Sequence, residues 1–396
     1  MTSPRSQSSP SVSANAERQS KAPGVGHPVP LHDSGKLHDG LFPVITLWQV
    51  AAAATPREEG LIMPAEASSH ERTLMAWPCG RWHEFGLLEE AFVNYAAVAN
   101  AIAAFEPVTM FADPDFAPEA RARCSEEIEV IEVPLDDAWL RDSGPIFVVG
   151  EDQQRVGIDF GFNAWGEKFS SWEKDDAVAG LACDVLGVDS RRAPIVLEGG
   201  SLTVDGLGTL ITTEQCLFHE MRNPTLDRSA LEAALGDWLG ATEVIWLGNG
   251  LVEDLDTDGH VDNLCAFVEP GKVVCQTSPG SEDPNHRNLD DNLERLRSAR
   301  DSHGEPLEIV EMPFLPRTAH EGRAVAIPYT NFYLANGAVI VPTPDAGDPT
   351  EDEALAILAT AVPDREIVPV PSTTLACGGG GIHCITQQLP VIGAGS

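Results

Sequence analysis

The sequence has little positive charge. Lysine and arginine total 25 against 61 aspartates and glutamates, a formal net charge of −36, and only five of the basic residues are lysines. A chain this acidic repels nucleic acid and anionic lipid and attracts small cations over long distances. The composition therefore excludes nucleic-acid and membrane-surface partners and leaves a small cationic ligand open. Solubility, for example in a salty cytoplasm, is the simpler explanation of the acidity.

Long apolar runs and paired cysteines are also missing. No uninterrupted apolar stretch reaches the ~18 residues that a transmembrane helix needs. The eight cysteines include no C-x-x-C pair, which argues against a zinc knuckle and a thioredoxin-type site. Scattered cysteines in a long chain are typical of reduced thiols in a cytosol. We therefore expect a cytoplasmic protein without a bound metal.

The first 60 residues have the composition of a leader. Ser, Pro, Gly and His dominate through Gly40, and such a segment buries too little apolar surface to fold alone. Residues 41–54 faintly resemble the apolar core of a signal peptide, but Pro43 interrupts them and no compact basic region precedes them. We expect a disordered leader over 1–60 and a single catalytic domain over 61–396. An alternative is that the folded protein starts near Met63.

From Met63 onward, a helical pattern, a β-rich run and a polar or glycine-rich motif recur in that order. Apolar residues at helical spacing predict a helix over 88–102, followed by a strand over 107–111. Further helices are predicted at 175–186, 229–239, 288–300 and 353–361, and further strands at 126–133, 193–197, 243–247, 307–312 and 366–370.

The motifs that follow the strands are spaced almost evenly. Their centres, Asp142, Glu198, His260, Asn331 and Cys384, are separated by 56, 62, 71 and 53 positions. This spacing suggests an α/β module repeated about five times around an axis, with each repeat presenting a loop to a shared centre. An ordinary doubly wound α/β sheet produces a similar alternation, so the pattern alone leaves both architectures open.

Four consecutive glycines, residues 378–381, precede Cys384. Glycine lets the backbone approach a ligand closely, so the loop can present a thiol nucleophile to a small planar substrate. The plainer interpretation is a glycine-rich surface turn beside a buried cysteine.

The motifs together supply the thiol of Cys384, the imidazole of His260 and the carboxylates of Asp142, Glu198 and Asp262. Two carboxylates can clamp a planar guanidinium through paired hydrogen bonds. A thiolate, favoured by a neighbouring imidazolium, is the nucleophile that such a poor electrophile needs. The imidazole can then protonate departing ammonia and activate water. This set predicts metal-free hydrolysis of a guanidine by covalent catalysis.

Each carboxylate also has a structural explanation. Asp142 could form a surface ion pair with the adjacent Arg141, Glu198 could be a turn residue, and His260 and Asp262 could be a local pair on one strand.

Two other kinds of site remain open at this point. The segment from Asp258 to Asp262 resembles the Asp-x-His-x-Asp segment of a manganese ureohydrolase such as agmatinase, although that chemistry leaves Cys384 unexplained. A non-catalytic guanidine-binding protein is the other alternative, but it has no use for both Cys384 and His260.

A set of motifs resembles the agmatine deiminase family, a branch related to the Porphyromonas-type peptidylarginine deiminases of the guanidine-modifying superfamily. The resemblance covers residues 63–390. The motifs are MPAE at 63–66, HERTLMAWP at 70–78, DDAWLRDSGP at 136–145, LEGGS at 197–201, TTE at 212–214, NP at 223–224, DTDGHVDN at 256–263, NFY at 331–333 and IHCITQQ at 382–388.

The resemblance implies a pentein fold, a five-bladed α/β propeller with pseudo-fivefold repeats and its active site in the central channel. It implies hydrolysis of agmatine to N-carbamoylputrescine and ammonia without a cofactor, in a chain that is commonly a homo-oligomer. It also places Trp139 among the substrate-binding residues.

The resemblance assigns roles to the five reactive residues. Cys384 is the nucleophile and His260 the general acid and base. Asp142 and Asp262 bind the guanidinium nitrogens, and Glu198 orients both the guanidinium and His260.

One departure from the family pattern bears on the substrate. Gly381 stands where the family usually has Asn, so contacts near the substrate tail can differ. Arginine or peptidylarginine therefore remains an alternative to agmatine. Arginine would need a cationic partner for its carboxylate, whereas the amine of agmatine prefers carboxylate, aromatic or carbonyl surroundings.

Overall fold

The computed structural model describes residues 54–151 and 154–392. The predicted leader lies outside the described residues up to position 53. Residues 54–60 include a 3-10 turn, Arg57–Glu59, whose Glu59 carboxylate accepts a 2.6 Å hydrogen bond from Arg191.

Short strands alternate with helices along the chain. The strands are β1 His70–Ala76, β2 Val108–Ala112, β3 Glu129–Glu132, β4 Ile146–Val149, β5 Arg155–Gly161, β6 Asp189–Val196, β7 Leu202–Val204, β8 Thr209–Thr213, β9 Glu243–Leu247, β10 Cys265–Glu269, β11 Lys272–Gln276, β12 Glu308–Met312, β13 Arg317–His320, β14 Arg323–Ala326, β15 Tyr333–Ala335, β16 Ala338–Thr343, β17 Glu366–Pro371 and β18 Thr386–Pro390. The helices are α1 Gly80–Glu84, α2 Leu88–Ala103, α3 Ala117–Arg123, α4 Leu140–Ser143, α5 Ala164–Glu167, α6 Glu173–Leu186, α7 Glu214–Leu217, α8 Arg228–Leu239, α9 His286–Ser298, α10 Glu351–Ala361 and α11 Thr373–Cys377. In the part of the chain described, no helix is long and apolar enough to cross a bilayer.

The five helices predicted from apolar spacing correspond to α2, α6, α8, α9 and α10 within two residues at each end. Helix α8 shows how the local sequence sets such bounds. The Asp227 carboxylate accepts a 2.9 Å hydrogen bond from the Ala230 N–H at the helix start. Gly240 ends the helix in the left-handed conformation, at φ +79°. Leu231, Leu235 and Leu239, four residues apart, are buried between these ends.

Five small sheets share one connectivity. Their strand orders are β18-β1-β2-β3, β4-β5-β6, β7-β8-β9, β10-β11-β12 and β15-β16-β17, and β13 and β14 form a separate hairpin. In each sheet the first two strands are antiparallel, and the third is parallel to the second after a helical crossover. Within the described ranges the strands form no single doubly wound sheet, so that alternative is wrong.

The sequence motifs occupy the same point in all five sheets. Each lies immediately before the first strand in the order given above: β4, β7, β10, β15 and β18. The last strand, β18, pairs antiparallel with β1, with Met75 opposite Thr386. The first sheet is therefore completed by the segment that follows Cys384.

Candidate active site

The five predicted reactive residues lie in four of these loops, and all are buried. Asp142 is in helix α4, directly before β4, and Glu198 precedes the 3-10 turn Gly199–Ser201. His260 and Asp262 begin the 3-10 turn before β10, and Cys384 lies in the 3-10 turn before β18.

The loops converge on the backbone of Gly200. A Cβ atom at this position would lie 2.6 Å from His260 Nδ1, 2.8 Å from Asp142 Oδ1 and 2.9 Å from Asp262 Oδ2. Real Cβ atoms do not tolerate such contacts, so this position requires glycine. Three of the predicted side chains therefore meet around one point, although they come from two separate loops.

Two donors fix the Asp142 carboxylate. Oδ1 accepts a hydrogen bond from the Gly200 N–H at 2.9 Å, and Oδ2 accepts one from Trp165 Nε1–H at 2.9 Å. Burial raises the pKa of Asp142, and the nearby Asp262 and Glu198 charges add to that effect. The adjacent Arg141 points elsewhere and donates to Gln388 at 2.9 Å. The surface ion-pair interpretation of Asp142 is therefore wrong.

Trp165 reaches Asp142 from a left-handed turn. Ala164, Trp165, Gly166 and Glu167 have φ values of 51°, 55°, 85° and 62°. This conformation costs roughly 1–2 kcal/mol for each non-glycine residue. Sequence reasoning missed this segment because only one of the four residues is glycine.

Glu198 is fully buried and is paired with Arg222, another residue that sequence reasoning missed. Arg222 Nε donates to Glu198 Oε1 at 2.8 Å. The other guanidinium nitrogens donate to Asp258 Oδ2 at 2.6 Å and to the Thr257 carbonyl at 3.0 Å. Arg222 therefore ties Glu198 to the loop that leads into His260. Its position next to the quoted motif at 223–224 was the only sequence signal.

His260 lies between two of the carboxylates. Its Nδ1 is 3.8 Å from Asp142 Oδ1, and its Nε2 is 4.0 Å from Glu198 Oε2. Neither ring nitrogen has a hydrogen-bond partner among the described residues. His260 caps the 3-10 turn Val261–Asn263 and Asp262 lies within it, so the two do not share a strand and the interpretation as a local strand pair is wrong.

Asp262 connects Cys384 to a second histidine. Its Oδ2 lies 3.4 Å from Cys384 Sγ and 3.0 Å from His383 Nδ1, and Asn331 Nδ2 lies 3.4 Å from the same sulfur. Burial opposes ionisation of Asp262, but the hydrogen bond and charge of His383 outweigh it and lower the pKa of Asp262. Burial, with the Asp262 and Asp142 charges, raises the pKa of Cys384 well above its usual value.

A pocket opens onto Cys384. It is lined by Arg81, Phe85, Asp137, Trp139, Asp142, Trp165, Phe169, Asp256, Thr257, Gly378, Gly379 and Cys384. The indole of Trp139, predicted as a substrate contact, forms part of the wall. Among the described residues that line it, Arg81 is the only basic one and is already engaged: Nε lies 3.3 Å from Asp137 Oδ2, and Nη2 donates to the carbonyls of Ser170 and Ser171.

In the described part of the chain, one cluster has three metal-type ligands within 4.8 Å of one another: Glu198, Cys216 and His260. The Arg222 guanidinium already occupies Glu198 Oε1 and opposes a further cation there. The Asp258, His260 and Asp262 set of the ureohydrolase alternative does not converge. Asp258 pairs with Arg222 instead.

The fold and the buried thiol, imidazole and carboxylates define an α/β enzyme of the deiminase class. The family profile described as Porphyromonas-type peptidyl-arginine deiminase matches residues 62–390. The chain belongs to that family.

Individual relatives agree with this assignment. The chain is 42% identical over 367 residues to an agmatine deiminase of Pseudomonas aeruginosa, covering 85% of this chain and 97% of the relative. It is 41% identical over 364 residues to that of Stutzerimonas stutzeri, covering 85% and 97%. Agmatine deiminase of Enterococcus faecalis, solved while catalysing its reaction, superposes with a TM-score of 0.81 at 34% identity, covering 86% and 98%. A cysteine-to-serine variant of agmatine deiminase from C. jejuni with substrate bound superposes with a TM-score of 0.76 at 26% identity, covering 84% and 97%.

Proposed function

We propose that the protein is an agmatine deiminase that hydrolyses agmatine to N-carbamoylputrescine and ammonia. The observation that carries the proposal is that the buried side chains of Asp142, His260 and Asp262 meet around Gly200, that Asp262 contacts Cys384, and that Asp142 and Cys384 line one pocket. Relatives that are 41–42% identical over 85% of this chain carry the same name.

Asp142 and Asp262 bind the guanidinium in this proposal, and Glu198 orients it toward the thiol. Asp142 is held by two donors, and Asp262 keeps Oδ1 without a partner among the described residues. A bound guanidinium places positive charge where burial and the two aspartates otherwise disfavour a thiolate, so it favours ionisation of Cys384.

The first half of the proposed reaction forms a covalent intermediate. Cys384 Sγ bonds to the guanidine carbon, and the thiol proton passes to His260. The C–N bond to one terminal nitrogen then breaks, and that nitrogen leaves as ammonia with the proton from His260. The carbon remains attached to Cys384 as an S-alkylthiouronium.

In the second half, His260 removes a proton from water and the hydroxide attacks the same carbon. The C–S bond breaks, which releases the carbamoyl product and restores Cys384. The position of His260 between the Asp142 and Glu198 carboxylates, 3.8 and 4.0 Å from its ring nitrogens, supports the shuttling of protons in both halves.

The charges along the pocket favour agmatine over arginine. Arg81, the only basic residue among the described residues that line it, is bound to Asp137 and to two carbonyls. A substrate carboxylate therefore meets no free cation there and faces Asp137 and Asp256 instead. An ammonium group suits these acids and the surrounding aromatic rings.

The test is ammonia release by the purified protein after EDTA treatment, with agmatine and arginine in parallel and the second product identified. We expect carbamoylputrescine from agmatine, and Cys384→Ala should abolish turnover without changing the circular dichroism spectrum. Citrulline from arginine would reassign the substrate. Urea or putrescine, or activity only after Mn²⁺ is restored, would reject the proposed chemistry.

We further propose that the five sheets are the blades of a pentein propeller around the site, within one catalytic domain over residues 61–396. Their shared connectivity and the matching positions of the five loops support this arrangement. We also propose a cytoplasmic homo-oligomer. The eight cysteines are all unpaired thiols, which supports a reducing compartment, and native mass spectrometry tests the assembly.

A further inference from the structure

His383, the residue before the proposed nucleophile, has a carboxylate at each ring nitrogen. Its Nδ1 lies 3.0 Å from Asp262 Oδ2, and its Nε2 lies 2.8 Å from Glu66 Oε2. A neutral imidazole has one donor and one acceptor nitrogen, whereas ionised carboxylates only accept. Both hydrogen bonds form together only if His383 carries two protons or if one carboxyl group is protonated.

The surroundings of Glu66 place the proton on the histidine. Glu66 Oε1 accepts a hydrogen bond from the Leu334 N–H at 2.9 Å, and Oε2 lies 3.3 Å from Arg141 Nη2. Burial opposes ionisation of Glu66, but the charges of His383 and Arg141 overcome it and lower its pKa to about 2. Glu66 is therefore an anion that accepts from three donors.

Asp262 is also ionised in this arrangement. Its Oδ2 accepts from His383 and lies 3.4 Å from the Cys384 thiol, while Oδ1 has no partner in the described part of the chain. The cation at His383 therefore fixes one oxygen of Asp262 and leaves the other for the substrate.

We propose that His383 is a positioning residue of the deiminase, an imidazolium held between Glu66 and Asp262 that keeps Asp262 ionised and oriented toward the substrate guanidinium. The inference rests on the proposed function for its kinetic consequence. Burial and Arg141 oppose the charge on His383, but Glu66 and Asp262 outweigh them and raise its pKa. Glu66, Asp262, Arg141 and the Cys384 thiol are the titratable groups that face it.

The protonation state can be measured without any substrate. The full-length enzyme with 15N-labelled histidine should show, at pH 7, a histidine whose two ring nitrogens both carry protons, and this signal should vanish in His383→Gln. A neutral His383 ring at pH 7 would overturn the proposal. Because this readout needs no turnover, it remains valid if agmatine proves not to be the substrate.

The kinetic test is the pH profile of kcat/KM for agmatine. Glutamine at 383 must turn its carbonyl oxygen toward one of the two carboxylates, so His383→Gln should lower kcat/KM by about 100-fold, as expected for a misplaced substrate-binding group. The wild type should lose activity at alkaline pH as the His383 imidazolium gives up its proton, and this alkaline fall should be absent from His383→Gln. Unchanged activity with the same alkaline fall would reject the role.

Two further variants separate charge from hydrogen bonding. Glu66→Gln should move the alkaline fall to lower pH, because it removes one of the two carboxylates that hold the proton on His383. The matched control is Glu106→Gln, which alters another buried carboxylate, 3.1 Å from His70, and should leave the alkaline fall in place. Glu66→Gln tests the proposal even if His383→Gln does not fold: an unchanged alkaline fall would contradict it.

The double variant His383→Gln with Glu66→Gln restores matched donors and acceptors without a cation. We expect it to remain well below the wild type and to lack the alkaline fall. Full recovery of activity and of the pH profile would show that hydrogen bonding alone is enough to orient Asp262. The proposal that His383 acts as an imidazolium would then be rejected.

Discussion

Two histidines of the same site, His260 and His383, differ in how their rings are held. His260 is fully buried, with its ring nitrogens 3.8 and 4.0 Å from carboxylate oxygens and without a hydrogen bond among the described residues. His383 is hydrogen-bonded to carboxylates at 3.0 and 2.8 Å on both ring nitrogens. A proton that must move during the reaction belongs on the loosely held ring, and a permanent charge belongs on the tightly held one.

The difference follows from what each loop packs against. The His260 loop is held through Arg222, which takes one oxygen of Glu198 and leaves the other facing the ring. The His383 loop packs against Glu66, 317 positions earlier in the chain. The His260 loop is therefore held by the contacts of Arg222, whereas the His383 loop is held by hydrogen bonds of the His383 ring itself.

Substitution of His260 should have the largest effect of the four changes considered. We expect His260→Asn to lower kcat for agmatine by at least about 10³-fold, within the range that a general acid and base contributes. The thermal unfolding midpoint should stay near that of the wild type, because the ring forms no hydrogen bond with any residue that the structure describes. His303→Asn, at an exposed loop position, is the control. A His260→Asn enzyme within tenfold of the wild type would remove His260 from the chemistry.

Arg222→Met tests whether Arg222 holds Glu198 and the loop that leads into His260. The substitution leaves the buried Glu198 carboxylate without its cation, which costs about 3–5 kcal/mol in comparable buried pairs. The free energy of unfolding, measured in urea, should fall by that amount, and kcat should fall with it. Arg192→Met, which removes a half-exposed arginine from two surface ion pairs, should change stability by under about 1 kcal/mol. Equal effects at the two positions would show that Arg222 does not stabilise Glu198 and the His260 loop.

Stability at acid pH tests the contribution of Glu66, which is hydrogen-bonded to His383. The pKa of Glu66 falls from its usual 4.5 to about 2 in the folded chain. Its contribution to the free energy of unfolding is therefore complete above about pH 4.5 and is lost as the pH falls toward 2, at most about 3 kcal/mol. Urea unfolding at pH 7 and pH 3 should show a smaller acid loss in Glu66→Gln than in the wild type. Parallel losses would contradict the assignment of that pKa.

Trp165→Phe should have the smallest effect of the four. It removes the 2.9 Å hydrogen bond to Asp142 Oδ2 but keeps an aromatic ring in the left-handed turn. A hydrogen bond to a charged group contributes about 1.5–3 kcal/mol, so kcat/KM should fall by ~10-fold or somewhat more. Trp172→Phe, nearby but outside the pocket lining, is the matched control. Identical kinetics of the two variants would show that Trp165 does not orient Asp142.

The sequence predicted which residues meet but not what holds them. Asp142, Glu198, His260 and Cys384 could be found because each lies at the same step of a recurring helix, strand and motif pattern. Arg222 carries no periodic signal, since its importance comes from contacts with Glu198 and with the loop before His260.

His383 and the sheet arrangement show two further limits of sequence reasoning. His383 stood in a quoted motif, yet its chemistry depends on Glu66, more than 300 positions away in the chain. The alternation of helices and strands could not separate five small sheets from one large sheet, because both have the same local periodicity. Only long-range pairing, such as that of β18 with β1, distinguishes the two.

The pairing of β18 with β1 also sets the order in which the enzyme can become active. During synthesis the segments bearing Asp142, Glu198, His260 and Asp262 all leave the ribosome before Cys384. Cys384 and the strand that completes the first sheet are the last of these parts to be made. A chain interrupted before residue 384 therefore lacks both the residue that we propose as the nucleophile and the strand that pairs with β1.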